Sequence, residues 1–178
     1  MAGAAAGAIA FLAAAEVVAA WAALWVALVP IGVGFRGLCN LLDGLIAIEG
    51  GRKTRSGELF NDMPDRFSDI LLYAAAGYAV RGIGHGVEWG WAAAAAAVMT
   101  AYVRYLGASM GARQYFLGPM AKTHRMAVLV TACITAAVEL LVRGSSISLL
   151  VALMVIAVGS VVTAGRRAIY IMHELERD

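Results

Sequence analysis

Long apolar segments alternate with short polar ones along the whole chain. Because a backbone N–H finds no partner in lipid, each apolar segment predicts a membrane-spanning α-helix. Six such segments cover residues 4–20, 21–48, 57–80, 89–110, 126–141 and 148–164. The sixth is expected to continue as a polar helix toward Glu176. The boundary between the first two stays open, because one long tilted helix broken at Pro30 is the competing interpretation.

Composition supports this pattern and excludes a soluble protein. Of 178 residues, 62% are apolar and 15% are charged, and mean hydropathy is +0.79. So little polar surface cannot cover a soluble globule, and such a chain is not disordered. The net charge of +2 does not indicate a nucleic-acid partner. We therefore predict an all-α, polytopic integral membrane protein, with six transmembrane helices in a single domain over residues 1–178.

Basic residues cluster in alternate connections between these segments. The clusters consist of Arg52, Lys53 and Arg55, then Arg113, Lys122 and Arg125, and finally Arg166, Arg167 and Arg177. The other connections contain only Arg81 and Arg143. With six spans, all three clusters lie on one side of the membrane. The positive-inside rule then places both termini and this side in the cytoplasm, and we expect a bacterial inner membrane.

Acidic residues concentrate in a single region, 43–69. Half of the acidic residues lie in this window, namely Asp43, Glu49, Glu58, Asp62, Asp65 and Asp69. Two helical stripes run through the region; one consists of Asn40, Asp43, Gly44 and Ala47, the other of Gly57, Asn61, Asp65 and Asp69. If the two helices face each other, Asn40, Asp43, Asn61 and Asp65 come together. Their oxygen atoms are ligands that suit Mg²⁺ or Mn²⁺.

Other interpretations of the acidic region stay open. Asp62 and Arg66 are four residues apart and can form an ion pair, and Asp69 can serve as a cap or pair with a cation. The acids can also belong to a proton or ion pathway. Pro64 either kinks a helix beside Asp65 or lies in the first turn of a helix capped by Asp62.

The segment from Asn40 to Asp65 resembles the signature of the CDP-alcohol phosphatidyltransferases, D-x2-D-G-x2-A-R-x8-G-x3-D-x3-D. Every interval matches, and five of the eight specified positions agree, namely Asp43, Gly44, Ala47, Gly57 and Asp65. Asn40 and Asn61 replace the first and third aspartates, and Ile48 replaces the arginine. The following Arg66-Phe-Ser-Asp69 also looks like the sequence after that signature.

The resemblance implies an activity and a set of site residues. In the family, carboxylates hold Mg²⁺ or Mn²⁺, which binds the diphosphate of a CDP-lipid, and the last aspartate is the general base. Carried over, that base is Asp65. The metal ligands are Asn40, Asp43, Asn61, Asp62 and Asp65. The CDP site comprises Asp43, Gly44, Ala47, Arg52 and Gly57, with Arg52 in place of the missing arginine. The resemblance also suggests a homodimer.

A second basic group is the candidate acceptor site. It consists of Arg104, Lys122, Arg125 and Arg166, which share the predicted cytoplasmic face with the acidic region. Arg104 and the Lys122-x-x-Arg125 run resemble the inositol-phosphate-using branch of the family. Such cations suit an anionic head group such as phosphate. The alternative is that they anchor the chain and contact anionic lipid.

These observations predict an enzyme that transfers a phosphatidyl group from CDP-diacylglycerol to a polar or phosphorylated alcohol, releasing CMP. Two other functions remain open. One is a CDP-lipid- or nucleotide-binding membrane module of the same fold without turnover, which the Asn40 and Asn61 substitutions favour. The other is a small transporter that couples its intramembrane acids to proton or ion movement.

Overall fold

A computed structural model describes residues 1–15, 19–49 and 57–177; among these, side chains are described except at 19, 40, 43–49, 57, 58, 60 and 61. The described residues form six α-helices and no β-strand. The helices are α1 Ala2–Ala15, α2 Ala19–Glu49, α3 Gly57–Ala79, α4 Gly86–Ser109, α5 Lys122–Arg143 and α6 Ile147–Leu175. The prediction of an all-helical chain with six helices is confirmed.

Two of the open boundaries are now decided. The interpretation as one long helix broken at Pro30 is wrong, because α1 packs against α2, with Gly3 beside Gly32, and α2 continues through Pro30. The late start for α3 is also wrong, since this helix begins at Gly57 and Pro64 lies inside it. Asp62 therefore lies inside α3 and does not cap the N-terminal end of that helix.

Three helical segments among the described residues are long and apolar enough to cross a membrane, and they are Ala20–Cys39, Lys122–Arg143 and Ile147–Leu175. Helix α1 is apolar but has only 14 residues. At 1.5 Å per residue it covers about 21 Å, less than the ~30 Å of a bilayer core. Helix α3 carries charged side chains in its first half. The chain thus has the character of a membrane protein, and three of its six helices meet the length and composition of a span.

The six helices form a closed ring in cross-section. Helix α1 packs between α2 and α3, α5 packs between α2 and α6, and α4 packs between α3 and α6. The order around the ring is therefore α1, α2, α5, α6, α4 and α3. Large apolar side chains such as Ile31, Phe35, Val151 and Val158 point outward and are exposed by 45% or more. An apolar outer surface of this kind suits lipid.

Small residues allow the helices to approach closely. A Cβ on Gly3 would lie 2.3 Å from the Gly32 carbonyl oxygen, and a Cβ on Gly77 would lie 2.8 Å from the Gly90 Cα. In the alanine run 92–97, Ala93, Ala94, Ala96 and Ala97 are buried. Close contact of this type is what joins helices in lipid, where burial against water does not drive their association.

The charged groups gather at one end of this ring. There, Arg113 in the α4–α5 connection pairs with Glu174 near the end of α6. At the other end, Arg81 after α3 donates a hydrogen bond to the Ala15 carbonyl oxygen. These two contacts agree with the alternation inferred from the basic clusters, in which successive connections between helices lie at opposite ends of the ring.

Candidate functional site

Three carboxylates from the first half of α3 form the acidic part of the site. Asp62, Asp65 and Asp69 follow one face of the helix, at i, i+3 and i+7. Burial increases along this row: the Asp62 side chain is 23% exposed, Asp65 is 8% exposed and Asp69 is fully buried. A buried carboxylate requires a cation or hydrogen-bond donors close by.

The four carboxylate oxygens of Asp65 and Asp69 face cations from α2 and α5. Arg36 Nη2 lies 2.9 Å from Asp65 Oδ1 and 3.1 Å from Asp69 Oδ1. Arg125 Nη2 lies 3.0 Å from Asp69 Oδ2, and Lys122 Nζ pairs with Asp65 Oδ2. We call Arg36, Asp65, Asp69, Lys122 and Arg125 the interior ion-pair cluster. It ties α2, α3 and α5 together in the interior of the ring.

Arg125 also connects the cluster to α4. Its Nη1 donates to Thr100 Oγ1 at 3.1 Å and to the Met120 carbonyl oxygen at 3.0 Å. The residue is 1% exposed. Its Nε has no hydrogen-bond partner among the described residues. The position of Arg125 is thus set by three separate contacts, while one donor remains for a further acceptor.

A cavity of about 530 Å³ lies next to this cluster. Its walls include five cationic side chains, namely Arg66, Arg104, Lys122, Arg125 and Arg167. One carboxylate, Asp62, also lines it, together with His124, Thr100 and Phe116. We call this space the basic cavity. Its lining favours an anionic ligand.

Arg104 and Arg66 form the outer wall of the basic cavity. Asp62 pairs with both, at 3.0 Å to Arg104 Nη2 and 3.8 Å to Arg66 Nη2. The Arg104 guanidinium also lies 4.5 Å from the Tyr105 ring centroid and 4.7 Å from that of Phe116. Its Nε is buried without a partner among the described residues. Asp62–Arg66 is the i, i+4 pair that the sequence left open, and its formation is confirmed.

Arg167 lies in the inner wall and differs from the other arginines. It is 6% exposed, and it donates to the carbonyl oxygens of Leu117, at 2.9 Å, and Thr100, at 2.8 Å. Among the described residues it forms no ion pair with a carboxylate. Carbonyl dipoles offset the charge of a buried guanidinium only in part. An anion in the cavity would supply the missing counter-charge.

The α4–α5 connection closes the cavity on the α6 side. Gly118 has a φ of +134°, and a Cβ there would lie 2.3 Å from Thr163 Cγ2. The Met120 N–H donates to Thr163 Oγ1 at 2.9 Å. Further out, the Tyr115 ring stacks on Tyr170, and a hydrogen bond to the Glu174 carboxylate raises the pKa of Tyr115. Glycine is needed at 118 for both its backbone conformation and its lack of a side chain.

A second, apolar space of about 310 Å³ opens between α2 and α5. Val33, Gly37 and Met126 line it, together with the stems of Arg36 and Lys122. We call it the apolar crevice. Lys122 lines both spaces, so it lies between the apolar crevice and the basic cavity. Its ion pair with Asp65 is therefore located at the boundary between them.

The structure brings together only some of the residues predicted from the sequence. Asp62, Arg104, Lys122 and Arg125 line the basic cavity, and Asp65 adjoins it through Lys122. Arg166 is exposed and is not part of the lining. Arg52 lies outside the described residues. The side chains of Asn40, Asp43, Gly44, Ala47, Gly57 and Asn61 also lie outside the described part, although their backbones belong to α2 and α3.

Sequence reasoning missed Arg36 and Thr100 as site residues, and it chose Arg166 over its neighbour Arg167 for the acceptor site. Arg36 lies four residues before Asn40, on the same stripe of α2, so extending that stripe by one turn would have found it. Arg167 continues the buried face of α6 that includes Ser160 and Thr163. A helical-face analysis of α6 would have favoured Arg167 over Arg166.

The described candidate metal ligands do not fit a divalent cation. Asp65 faces Arg36 and Lys122, and Asp62 faces Arg66 and Arg104. Among the residues the structure describes, no group of three or more His, Cys, Asp or Glu side chains is placed to hold a metal ion. The prediction of Mg²⁺ or Mn²⁺ stays a prediction that depends on Asn40, Asp43 and Asn61.

No protein-family model matches the chain, and no curated protein matches it either.

Proposed function

We propose that this protein is a membrane phosphotransferase that moves a phosphatidyl group from a CDP-lipid, such as CDP-diacylglycerol, to a phosphorylated alcohol and releases CMP. The observation that carries the proposal is the basic cavity, where Arg167 is buried with no carboxylate partner among the described residues and where Lys122, the partner of Asp65, is also part of the lining. The spacing of the signature from Asn40 to Asp65 supports the donor side of the proposal.

The charge balance of the site favours an acceptor that carries phosphate. Besides His124, the described side chains of the cavity and the cluster include six cations and three carboxylates. The excess of three positive charges among these described side chains suits a phosphate monoester together with part of a diphosphate. Buried arginine donors bind phosphate oxygens in pairs and do so strongly where water is excluded.

The apolar crevice suits the lipid part of the donor. In this proposal an acyl chain of the donor lies along Val33, Gly37 and Met126, and the phosphate on the same glycerol reaches Lys122. The acceptor phosphate lies in the basic cavity on the other side of Lys122. Donor and acceptor thus meet at the Lys122–Asp65 ion pair, which places the reacting groups together.

The transfer step then uses the chain's own residues. The acceptor hydroxyl oxygen attacks the lipid phosphorus, the bond from that phosphorus to the CMP oxygen breaks, and Asp65 accepts the hydroxyl proton. In this proposal Lys122, Arg125 and Arg36, which pair with Asp65 and Asp69, offset the negative charge that develops on the transferring group. Fixed positive charges of this kind stabilise a phosphoryl-transfer transition state.

The test is CMP release from CDP-diacylglycerol by the purified protein in liposomes. Reactions contain Mg²⁺, Mn²⁺ or excess EDTA, with glycerol phosphate, inositol phosphate, inositol or serine as acceptor. We expect release that requires a phosphorylated acceptor and is lost in Asp65→Asn. The charge-matched control is Glu88→Gln, an exposed acid at the other end of the ring, which should release CMP like the wild type. Release that is indifferent to the acceptor's phosphate would contradict the assignment of the basic cavity.

One observation favours a second candidate, a CDP-lipid-binding module without turnover. Asp65 is held by two cations, Arg36 and Lys122, so its oxygens are engaged before any acceptor arrives. This function predicts saturable CDP-diacylglycerol binding with no CMP release for any acceptor. The same liposome assay, run beside an equilibrium binding measurement, distinguishes it from the transferase.

A further inference from the structure

We propose that Arg36, together with Lys122, neutralises Asp65 in place of a divalent metal, so that this chain binds its CDP-lipid diphosphate without Mg²⁺ or Mn²⁺. The inference rests on the proposed function and names the group that takes over the role of the metal. It starts from the disagreement between the metal implied by the signature and the cations that the structure places on Asp65.

The geometry puts the Arg36 guanidinium directly on the Asp65 carboxylate. Its Nη2 lies within 3.1 Å of oxygens on two carboxylates, Asp65 and Asp69, and the residue is 5% exposed. The same nitrogen also donates to the Asp65 carbonyl oxygen at 3.3 Å. One buried guanidinium thus connects two acids on successive turns of α3 and offsets the charge of Asp65.

The residue changes in the signature lower the negative charge available to a metal. The resembled signature has four aspartates, and this chain keeps two of them, Asp43 and Asp65, with Asn40 and Asn61 at the other positions. Two negative charges are lost, and two cations from the chain, Arg36 and Lys122, lie on the remaining Asp65. Fewer carboxylates lower the affinity for a hard divalent cation.

A metal at Asp65 would compete with Arg36 and Lys122 for the carboxylate oxygens. If it displaced Arg36, the guanidinium would remain in the interior beside Asp69, which already pairs with Arg125. Separating a buried ion pair is strongly unfavourable because it leaves a charge without compensation. The diphosphate, in contrast, adds negative charge on the side of Lys122 and requires no carboxylate to lose its partner.

The experiment combines two measurements on the full chain in detergent. The first is CDP-diacylglycerol affinity in excess EDTA and in Mg²⁺, and the second is Mn²⁺ binding followed by electron paramagnetic resonance. For the wild type, we expect affinities that differ by less than about twofold between EDTA and Mg²⁺. We also expect no Mn²⁺ binding that depends on Asp65, when wild type and Asp65→Asn are compared.

Variants of Arg36 test the charge itself. Arg36→Met should weaken CDP-diacylglycerol binding in EDTA by about tenfold or more, with part of the affinity recovered in Mg²⁺. Arg36→Lys keeps one positive charge and should remain insensitive to EDTA. Because Arg36→Met leaves two buried carboxylates short of a partner and can fail to fold, the wild-type and Arg36→Lys measurements decide the matter without it.

Two outcomes would overturn the inference. One is a wild-type affinity that falls tenfold or more in EDTA and returns with Mg²⁺; the other is Mn²⁺ binding by the wild type that disappears in Asp65→Asn. If the protein binds no CDP-diacylglycerol under any condition, the proposed function fails, and the Mn²⁺ measurement still decides how Asp65 is neutralised.

Discussion

Asp69 allows a quantitative test of the interior ion-pair cluster. It is fully buried, and its two oxygens pair with Arg36 at 3.1 Å and Arg125 at 3.0 Å. Asp69→Asn keeps the size of the side chain but removes its charge. Arg36 retains Asp65 as a charged partner, whereas Arg125, at 1% exposure, loses its described carboxylate partner and keeps the neutral acceptors Thr100, the Met120 carbonyl oxygen and the amide oxygen introduced at position 69.

The expected loss is large for a substitution of one atom. Removing one partner of a buried pair costs about 3–5 kcal/mol, because the remaining charge stays buried. For a chain of this length, each kcal/mol corresponds to roughly 2–4 °C in melting temperature, so we expect Asp69→Asn to melt about 10 °C lower. Asp62→Asn is the matched control, since Asp62 is 23% exposed and its partners can reach water. Its melting temperature should fall by roughly 2 °C.

The assay is thermal unfolding in detergent, followed by the fluorescence of the four tryptophans. A double-mutant cycle then separates the ion pair from other effects. Arg125→Met should cost less in the Asp69→Asn background than in the wild type, with a coupling of about 2 kcal/mol. The exposed pair of Arg113 and Glu174 should show a much smaller coupling. If Asp69→Asn melts like Asp62→Asn, or if the Asp69–Arg125 coupling vanishes, the buried network does not stabilise the fold as argued.

Further predictions concern the basic cavity and its cover. Arg167→Gln should raise the KM for a phosphorylated acceptor by about tenfold, whereas Arg166→Gln, on the exposed surface, should change it by less than about twofold. Equal effects in CMP-release kinetics would contradict the placement of Arg167. Gly118→Ala should weaken inorganic phosphate binding, because the new Cβ collides with Thr163 on α6. Gly111→Ala is the control for backbone strain, because Gly111 also has a positive φ but a Cβ there would meet nothing within 4 Å. Glu174→Gln should speed amide hydrogen exchange in the α4–α5 connection, because it weakens the contact between Glu174 and Arg113. An unchanged exchange rate would show that this contact does not restrain the connection.

The helix content, and which connections lie at the same end of the ring, could be predicted from the sequence alone. An apolar segment in lipid has to satisfy its own backbone, so composition and length sufficed to predict six helices. The pairing of Asp62 with Arg66 could also be predicted, because residues four apart on a helix are neighbours whatever the fold. The start of α3 was left open, because Pro64 fits both the interior and the first turn of a helix.

The partners of the buried acids were decided only by the tertiary structure. Arg36 and Asp65 are 29 residues apart and Asp69 and Arg125 are 56 apart, so no periodicity within one helix relates them. Their contact depends on α5 packing beside α2 and on α3 lying across from both. The same holds for Arg167, whose burial follows from the face that α6 turns toward α4. Helical periodicity determines which residues share a face, whereas packing between helices determines what that face meets.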